Sequence, residues 1–351
     1  MKVAVALSGG VDSSLAAALL LQEGYQVEAV TMSVVHAPGE DPDVRRAAAV
    51  ADHLGIPHSV FDLRERFRRR VIEYFVREYA AGRTPNPCVV CNPEIKLGAL
   101  WERLRIIDAH SMATGHYVRK VYSCGDDWYY LRRAVDTSKD QSYVLHRMTQ
   151  EQLRRTLFPL GSWSKDEVRD LANRLRIPSA QGSESQEVCF IFGDYREFIA
   201  SHYPDAVAPG PMVDLEGRVV GEHRGLPFYT VGQRRGLGIA LGEPMYVLRL
   251  LPEQNAILVG PREYLDSRGA EVSQVNWTVP PDHLAGDGRM EVAVRYNAPA
   301  VPASVEVSGT DASIQFEEPV PAVTPGQSAV FYRDELLLGG GIIESTTVDP
   351  R

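Results

Sequence analysis

Two features of this chain carry chemistry by residue type and spacing: a glycine–serine–aspartate loop, and three cysteines in two motifs. Ser8-Gly9-Gly10-Val11-Asp12-Ser13-Ser14 joins an apolar run to a helical one. Two glycines let the backbone approach an anion closely, and the free N–H groups of a helix start point at whatever binds there. Ser and Asp in the same stretch are able to cap that helix. The Gly-Lys-Ser/Thr ending is missing, so this is not a Walker loop. Thr84-Pro85-Asn86-Pro87-Cys88-Val89-Val90-Cys91-Asn92 is a proline-stiffened loop with two thiols, and Cys189, in Ser185-Gln186-Glu187-Val188-Cys189-Phe190-Ile191, adds a third. A C-x-x-C pair is a redox couple, half a zinc site or a coincidence of spacing. No second C-x-x-C and no zinc-finger histidine spacing accompany it, which argues against structural zinc.

Such a loop needs a strand before it and a helix after it. Lys2–Leu7 reads as a buried parallel strand, Asp12–Glu23 as a helix stopped by Gly24, and Gln26–Met32 as the next strand. Asp43–Leu54 reads as a helix and Ile56–Phe61 as a strand. This alternation indicates an α/β fold, a parallel sheet with helices on both faces. A long helix is expected over Arg64–Ala81 and a helix again near Ile95–Arg105, followed by a short strand at Ser111–Thr114. Gly82–Pro93 holds three prolines, and no regular helix is expected there. After about Ser183 Gly and Pro become frequent, and Pro211–Val220 and Met245–Val259 read as short strands. From Ala270 strands dominate: Val272–Val279, Arg289–Tyr296, Ala303–Val307, Ser313–Phe316 and Ser328–Tyr332. They read as a small barrel or sandwich.

At 351 residues the chain exceeds one ordinary core and implies two or three domains. Its 44% apolar and 24% charged residues are ordinary for a soluble globular protein. No apolar run is long enough to span a membrane. The start, Met1–Leu7, lacks the layout of a signal peptide, so a cytoplasmic location is expected. The four cysteines are then expected to be reduced thiols, ligands or catalysts; Cys124 reads as part of an exposed hairpin turn with no role. The net charge of −9, from 37 basic and 46 acidic residues, argues weakly against nucleic-acid binding. Clustering matters more than the sum. Arg64–Arg70 holds five arginines and one glutamate, and Arg132–Arg133, Arg154–Arg155 and Arg234–Arg235 are pairs. Each reads as a phosphate contact or as a solvated face.

The glycine–serine loop resembles the PP-loop of ATP pyrophosphatases, which hold pyrophosphate while a substrate oxygen attacks the α-phosphate. On that resemblance Ala6, Leu7, Ser8, Gly9, Gly10, Val11, Asp12 and Ser13 cradle ATP, with Mg²⁺ bridging its phosphates. Asp12 serves as a cap or as a metal-side carboxylate. A ligand of such a sheet lies at the carboxyl ends of its strands, where Met32 and Gly115 flank the adenosine. Met32 reads equally well as core packing.

Over essentially its whole length the chain resembles the bacterial tRNA-specific 2-thiouridylases, the MnmA/TrmU family. The strings that carry this are SGGVDSS, GRTPNPCVVCNPEIK from Gly82, ATGHY from Ala113, KDQSY from Lys139, CFI from Cys189, GLPFYTVGQRRGLGI from Gly225 and PAVTPGQSAVFY from Pro321. The resemblance implies a PP-loop (adenine nucleotide alpha hydrolase-like) catalytic domain over 1–186. A small central β domain over 187–265 carries the second catalytic cysteine, and a C-terminal β-barrel over 266–351 contacts tRNA. Cys91 matches the catalytic cysteine and Cys189 the one that carries a persulfide. Asn86, Pro87 and Cys88 match the stretch that faces the target base. His116, Lys139, Asp140, Gln141, Arg295, Tyr296 and Gln327 match tRNA-contacting positions. Tyr296 reads as a stacking group or as barrel core.

The implied substrate is the wobble uridine of tRNA, with sulfur supplied by an upstream carrier or a cysteine desulfurase. A uracil C2 oxygen leaves poorly until adenylation makes it an AMP ester. A persulfide then delivers sulfur, and the second thiol releases it, leaving a transient Cys91–Cys189 disulfide. In a second route to the same product, Cys88, Cys91 and Cys189 hold a 4Fe–4S cluster with one iron open to sulfide. Two departures stand out: some relatives have Asp where this chain has Cys88, and many read DS-x-G-I-C-F where it reads Glu184 to Phe190. An amide-forming ligase with an SGG-x-DS loop leaves the cysteines unexplained. A non-catalytic RNA-binding protein leaves the loop unexplained.

Overall fold

The apolar run Lys2–Ala6 forms β1, buried through its middle as a strand covered on both faces must be. In this computed structural model, residues 1–178, 188–239, 242–284 and 287–348 are described. The stretch 184–187 and the expected boundary near residue 186 lie outside the described residues. After β1 the chain turns at Gly9 and Gly10 into α1 (Val11–Gln22) and returns along β2 (Gln26–Ser33). α2 (Pro42–Leu54) and β3 (His58–Asp62) continue the alternation. α2 has local signals at both ends: Asp41 caps it, Pro42 starts it and Gly55 closes it in the left-handed conformation.

Between β3 and the next strand the chain is helical. α3 (Arg64–Phe67), a wide-turn segment Arg68–Ile72 and α4 (Glu73–Ala80) make the expected long run. The expectation for 82–93 needs correction, because α5 (Pro87–Cys91) begins well before Ile95. Pro87 sits at its first position, where a missing N–H removes no bond, and the Asn86 side chain caps it. Pro93 falls in a second wide-turn segment, Asn92–Ala99, which leads to α6 (Leu100–Leu104). Switching to i→i+5 bonds is one way a helix absorbs a residue that cannot join the ordinary ladder.

β4 (Ser111–Ala113) lies against β1 on the side away from β2. A hairpin, β5 (Arg119–Ser123) and β6 (Trp128–Arg132), follows, with Cys124 in its exposed turn. α7 (Gln150–Arg155), β7 (Thr156–Leu157) and α8 (Lys165–Arg174) come next, and both helices open with a capping box. The first sheet is parallel throughout, in the order β3-β2-β1-β4-β7. α9 (Tyr195–His202) leads to β8 (Gly210–Val213), β9 (Val219–His223), β10 (Tyr246–Leu251) and β11 (Ala256–Gly260). These form a four-stranded sheet in the order β10-β11-β8-β9.

The last part holds β12 (Asp266–Trp277), β13 (Arg289–Ala293), β14 (Val301–Ser308), β15 (Asp311–Pro321), β16 (Ser328–Arg333) and β17 (Leu336–Val348). They follow the order β12-β15-β14-β13-β16-β17, and pairing of β12 with β17 closes a barrel. β6 pairs with β17, so the early hairpin extends this sheet. β17, the longest strand among the described residues, is not among the strands expected from the sequence, and Gly339-Gly340-Gly341 lies within it. The glycines are there for close approach: a Cβ on Gly340 would lie 2.8 Å from the Ala329 carbonyl oxygen, and one on Gly341 2.5 Å from that of Ser273. Among the described residues no helix is long and apolar enough to cross a membrane.

The exit of β4 packs against the start of α1. A Cβ on Gly115 would lie 2.7 Å from the Ser13 nitrogen and 2.8 Å from the Asp12 carbonyl carbon. Backbone cannot give way as a side chain can, so Gly115→Ala is expected to lower stability by about 1–3 kcal/mol. Urea unfolding measures this. An unchanged midpoint would mean that α1 shifts freely against β4.

Candidate active site

The turn from β1 into α1 is built for close backbone approach. Gly9 has φ +74°, and a Cβ there would lie 2.8 Å from the Ala47 nitrogen of α2. Gly10 is the N-cap of α1 and offers no side chain to its N–H groups. Ser13 Oγ accepts from the Ser8 N–H at 3.2 Å, and Ser14 Oγ donates to the Gly10 carbonyl at 2.8 Å. The Ala6, Leu7 and Val11 side chains pack into the protein, so these residues present backbone to the turn. Thr31 Oγ1 holds the Leu7 carbonyl at 2.7 Å. Met32 is partly buried against the main core. The capping role expected for Asp12 is not what the structure shows. Its carboxylate accepts from Lys165 Nζ at 2.7 and 2.8 Å and from the Tyr117 hydroxyl at 2.8 Å. A partner 153 residues away leaves no local pattern to read.

The cysteine loop is held by the barrel. The Thr84 N–H donates to the Pro325 carbonyl at 2.9 Å, and Gln327 Nε2 donates to the Thr84 carbonyl at 2.7 Å. Arg83 bonds Glu78 at 2.8 Å and Glu344 at 2.6 Å. Asn86 Oδ1 accepts from the Cys88 N–H at 3.1 Å and fixes the start of α5. Cys88 is then exposed on the first turn of α5 and Cys91 buried at its end, beside buried Pro87 and Val89. Cys189 is exposed, while its neighbour Phe190 is buried among Phe67, Phe75 and Phe198, with ring centroids 5.3–5.6 Å apart. That aromatic anchor sets the position of Cys189.

These groups share one electrostatic field. Burial pushes the Cys91 thiol up to about 12, with Cys189 and Cys88 adding to the rise and Lys96 opposing it. Cys189 is likewise raised by desolvation, against Lys96, with Cys88 and Asp43 reinforcing it. Burial, then Cys88, raises the Tyr296 hydroxyl, and burial with Lys96 holds His116 neutral. Lys96 is a residue that spacing alone does not single out. It stands five positions after Cys91, off its face in a regular helix; the i→i+5 turns of Asn92–Ala99 stack such positions.

The expected tRNA-contacting residues divide. Tyr296 is exposed beside Tyr143, with ring centroids 5.8 Å apart. Arg295 is half-buried, has no carboxylate partner among the described residues and donates to the Ala322 carbonyl. The Lys139 N–H donates to the Asp136 carbonyl at 3.1 Å. Asp140 turns inward, accepting from the Ala134 N–H at 2.8 Å and the Ser142 hydroxyl at 2.6 Å. Gln141 Oε1 accepts from the Tyr117 N–H at 3.0 Å, and His116 Nδ1 meets the Thr114 hydroxyl at 2.7 Å. The arginine run lines a cleft of about 1050 Å³ with Phe190, Phe198 and Tyr203. Its charges are compensated by Asp62, Glu65, Glu73, Glu94 and Glu102. Among the described residues no three His, Cys, Asp or Glu side chains are gathered as a metal set, and all four cysteines are free.

Residues 1–193 match the family described as tRNA methyl transferase HUP domain. Residues 196–261 match the tRNA methyl transferase PRC-barrel domain and residues 267–343 the Aminomethyltransferase beta-barrel domain. The chain is 46% identical over 353 residues to the tRNA-specific 2-thiouridylase MnmA of Moorella thermoacetica, across 97% of this chain and 99% of that one. It is 46% identical to the protein of the same name from Carboxydothermus hydrogenoformans, across 98% and 97%. The corresponding protein of Chloroflexus aggregans is 48% identical, across 97% and 98%.

Arg83 is the charged link between the cysteine loop and the barrel. Arg83→Ala is expected to weaken that link by about 1–3 kcal/mol. Hydrogen exchange over 84–91 should quicken while far-UV circular dichroism is unchanged. Unaltered exchange there would show that the barrel does not restrain the loop.

Proposed function

This chain belongs to the tRNA-specific 2-thiouridylase family, and we propose that it replaces the C2 oxygen of the wobble uridine of tRNA with sulfur, driven by ATP. The observation that carries the reading is that the two cysteine motifs meet in one packed cluster: Cys91 and Phe190, the neighbour of Cys189, lie in the same core, and Lys96 acts on both Cys91 and Cys189. An amide-forming ligase has no use for it. ATP lies over Ala6–Ser13 with its adenosine near Met32 and Gly115. Mg²⁺ arrives with the triphosphate, and Asp12 is the carboxylate at the loop that would meet it.

The uridine must leave its stack to be reached. Pro87, Cys88 and Tyr296 receive it, and Lys139, Arg295 and Gln327 lie on the tRNA side. The C2 oxygen attacks the α-phosphate and pyrophosphate leaves. The terminal sulfur of a Cys189 persulfide attacks C2, and AMP leaves with the oxygen. The Cys91 thiolate then attacks Cys189 Sγ. The S–S bond breaks, its electron pair stays with the sulfur on C2, and a Cys91–Cys189 disulfide remains for an external thiol to reduce. Exposure of Cys189 suits loading by a sulfur carrier or cysteine desulfurase, and burial of Cys91 suits a thiol kept from stray oxidants. The 4Fe–4S alternative lacks its ligand set: among the described residues the three thiols are not gathered around one point. The reaction belongs in the cytoplasm, with tRNA.

Iron-free protein with ATP, tRNA and a persulfide donor is expected to release AMP and pyrophosphate and to form 2-thiouridine. Cys91→Ser or Cys189→Ser should cut product formation by several orders of magnitude. ADP and phosphate as products, or full activity in either variant, would sink this reading.

The thiol shifts give a pH signature. Both thiols are raised from an ordinary value of 9.0, so their thiolates accumulate only above it. Alkylation of Cys189 by iodoacetamide, followed by peptide mass, should climb steadily from pH 7 to pH 9. A plateau below pH 8 would contradict the upward shift of this thiol.

A further inference from the structure

A polyphosphate site with a carboxylate in it has an electrostatic problem. Ser8–Ser14 contains no basic residue and does contain Asp12. At the distances of a bound ligand an uncompensated carboxylate repels a triphosphate, the more so out of bulk water. Arg46, on α2 beside Gly9, lies outside the loop in an exposed pair with Asp43.

Lys165 meets this problem from α8. It is 5% exposed, and its ammonium touches both oxygens of Asp12 at 2.7 and 2.8 Å. The Asp12 side chain is 33% exposed against 6% for Lys165, so the ammonium is the buried partner and the carboxylate the one solvent reaches. The Tyr117 hydroxyl donates to the same carboxylate, and the ammonium sits 5.7 Å from the Tyr117 ring centroid. The other end of Lys165 is pinned as well, by its N–H to Asp136 Oδ2 at 3.0 Å and by the Ser164 cap of α8. A buried ammonium is unfavourable unless paired, so this pair is made to stay together.

We propose that Lys165 is a positioning residue of the phosphate site: it fixes the Asp12 carboxylate and cancels its charge, so that a loop without basic residues accepts a triphosphate and its pyrophosphate product. The ammonium stands behind the carboxylate and does not contact the ligand itself. The inference rests on the reading of Ala6–Ser13 as the ATP site.

The test is calorimetric titration of the full chain with inorganic pyrophosphate, without Mg²⁺, and with AMP as control. If affinity follows the net charge of the pair, Lys165→Met should bind pyrophosphate at least tenfold more weakly than wild type. Asp12→Asn should bind more tightly. The double variant, neutral like the native pair, should return to within about threefold of wild type, and Lys165→Arg should match it. AMP affinity should not change in any variant. A double variant as weak as Lys165→Met would make Lys165 a direct ligand and overturn the proposal, as would a Lys165→Met protein that binds like wild type. If either single variant does not fold, the double variant and Lys165→Arg, which leave no charge of the pair unpaired, still decide: both should bind pyrophosphate within about threefold of wild type, and a double variant at least tenfold weaker overturns the proposal. Wild-type protein that binds neither ATP nor pyrophosphate would remove the nucleotide reading itself, and the proposal with it.

Discussion

β1 pairs in parallel on both of its edges, with β2 on one side and β4 on the other, and Val3, Ala4 and Val5 are fully buried. A strand so placed has neither a free edge nor a wet face. Parallel neighbours also end on the same side of the sheet. The carboxyl ends of β1, β2 and β4 are thereby brought together, and with them Ser8–Ser13, Met32 and Gly115. The contact of Gly115 with the start of α1 leaves no room for a side chain, so the nucleotide loop inherits the rigidity of the sheet. The position of the Ser8–Ser13 turn depends on this pairing.

The cysteine loop has a different support. Backbone and amide bonds from Pro325 and Gln327, with the Arg83–Glu344 pair, attach it to the barrel. The Asn92 amide donates to the Val144 carbonyl at 3.0 Å, and the Tyr143 hydroxyl donates to the Ser328 carbonyl at 2.9 Å. One hydrophobic cluster runs from Ala4 and Val30 of the parallel sheet through Cys91 and Phe190 to Val330, Tyr332 and Leu337 of the barrel strands. Sheet, cysteine helix and barrel are therefore one packed body at this point. A thiol on α5 keeps its relation to the nucleotide loop because both are bonded into the same core.

That packing also sets reactivity. Burial suppresses thiolate formation at Cys91, and the opposing field comes from Lys96 on the same helical run. A protonated inner thiol resists oxidation. The acidic balance of −9 is no obstacle on this reading. Contact with a polyanion needs a few correctly placed cations, and Arg295 is one that no carboxylate neutralises among the described residues. The arginines of α3 and the turn after it are already matched by acids.

The sequence by itself determined what depends on neighbours along the chain. Strand–helix alternation, the glycine turn before α1, the Pro42 and Gly55 helix ends and the barrel strands of alternating burial all follow from local period and backbone freedom. So do the exposed turn at Cys124 and the order of the cysteine motifs. Only the tertiary structure decided which partner each polar group takes. Asp12 pairs with Lys165 rather than capping α1, Asp140 and Gln141 turn inward, and Asn86 spends its oxygen on α5. It also turned a glycine triplet into the middle of β17, because neighbouring backbone and His146 fill the space a side chain would need. These outcomes are set by groups brought close from far along the chain. Local period carries no information about a partner that only folding supplies.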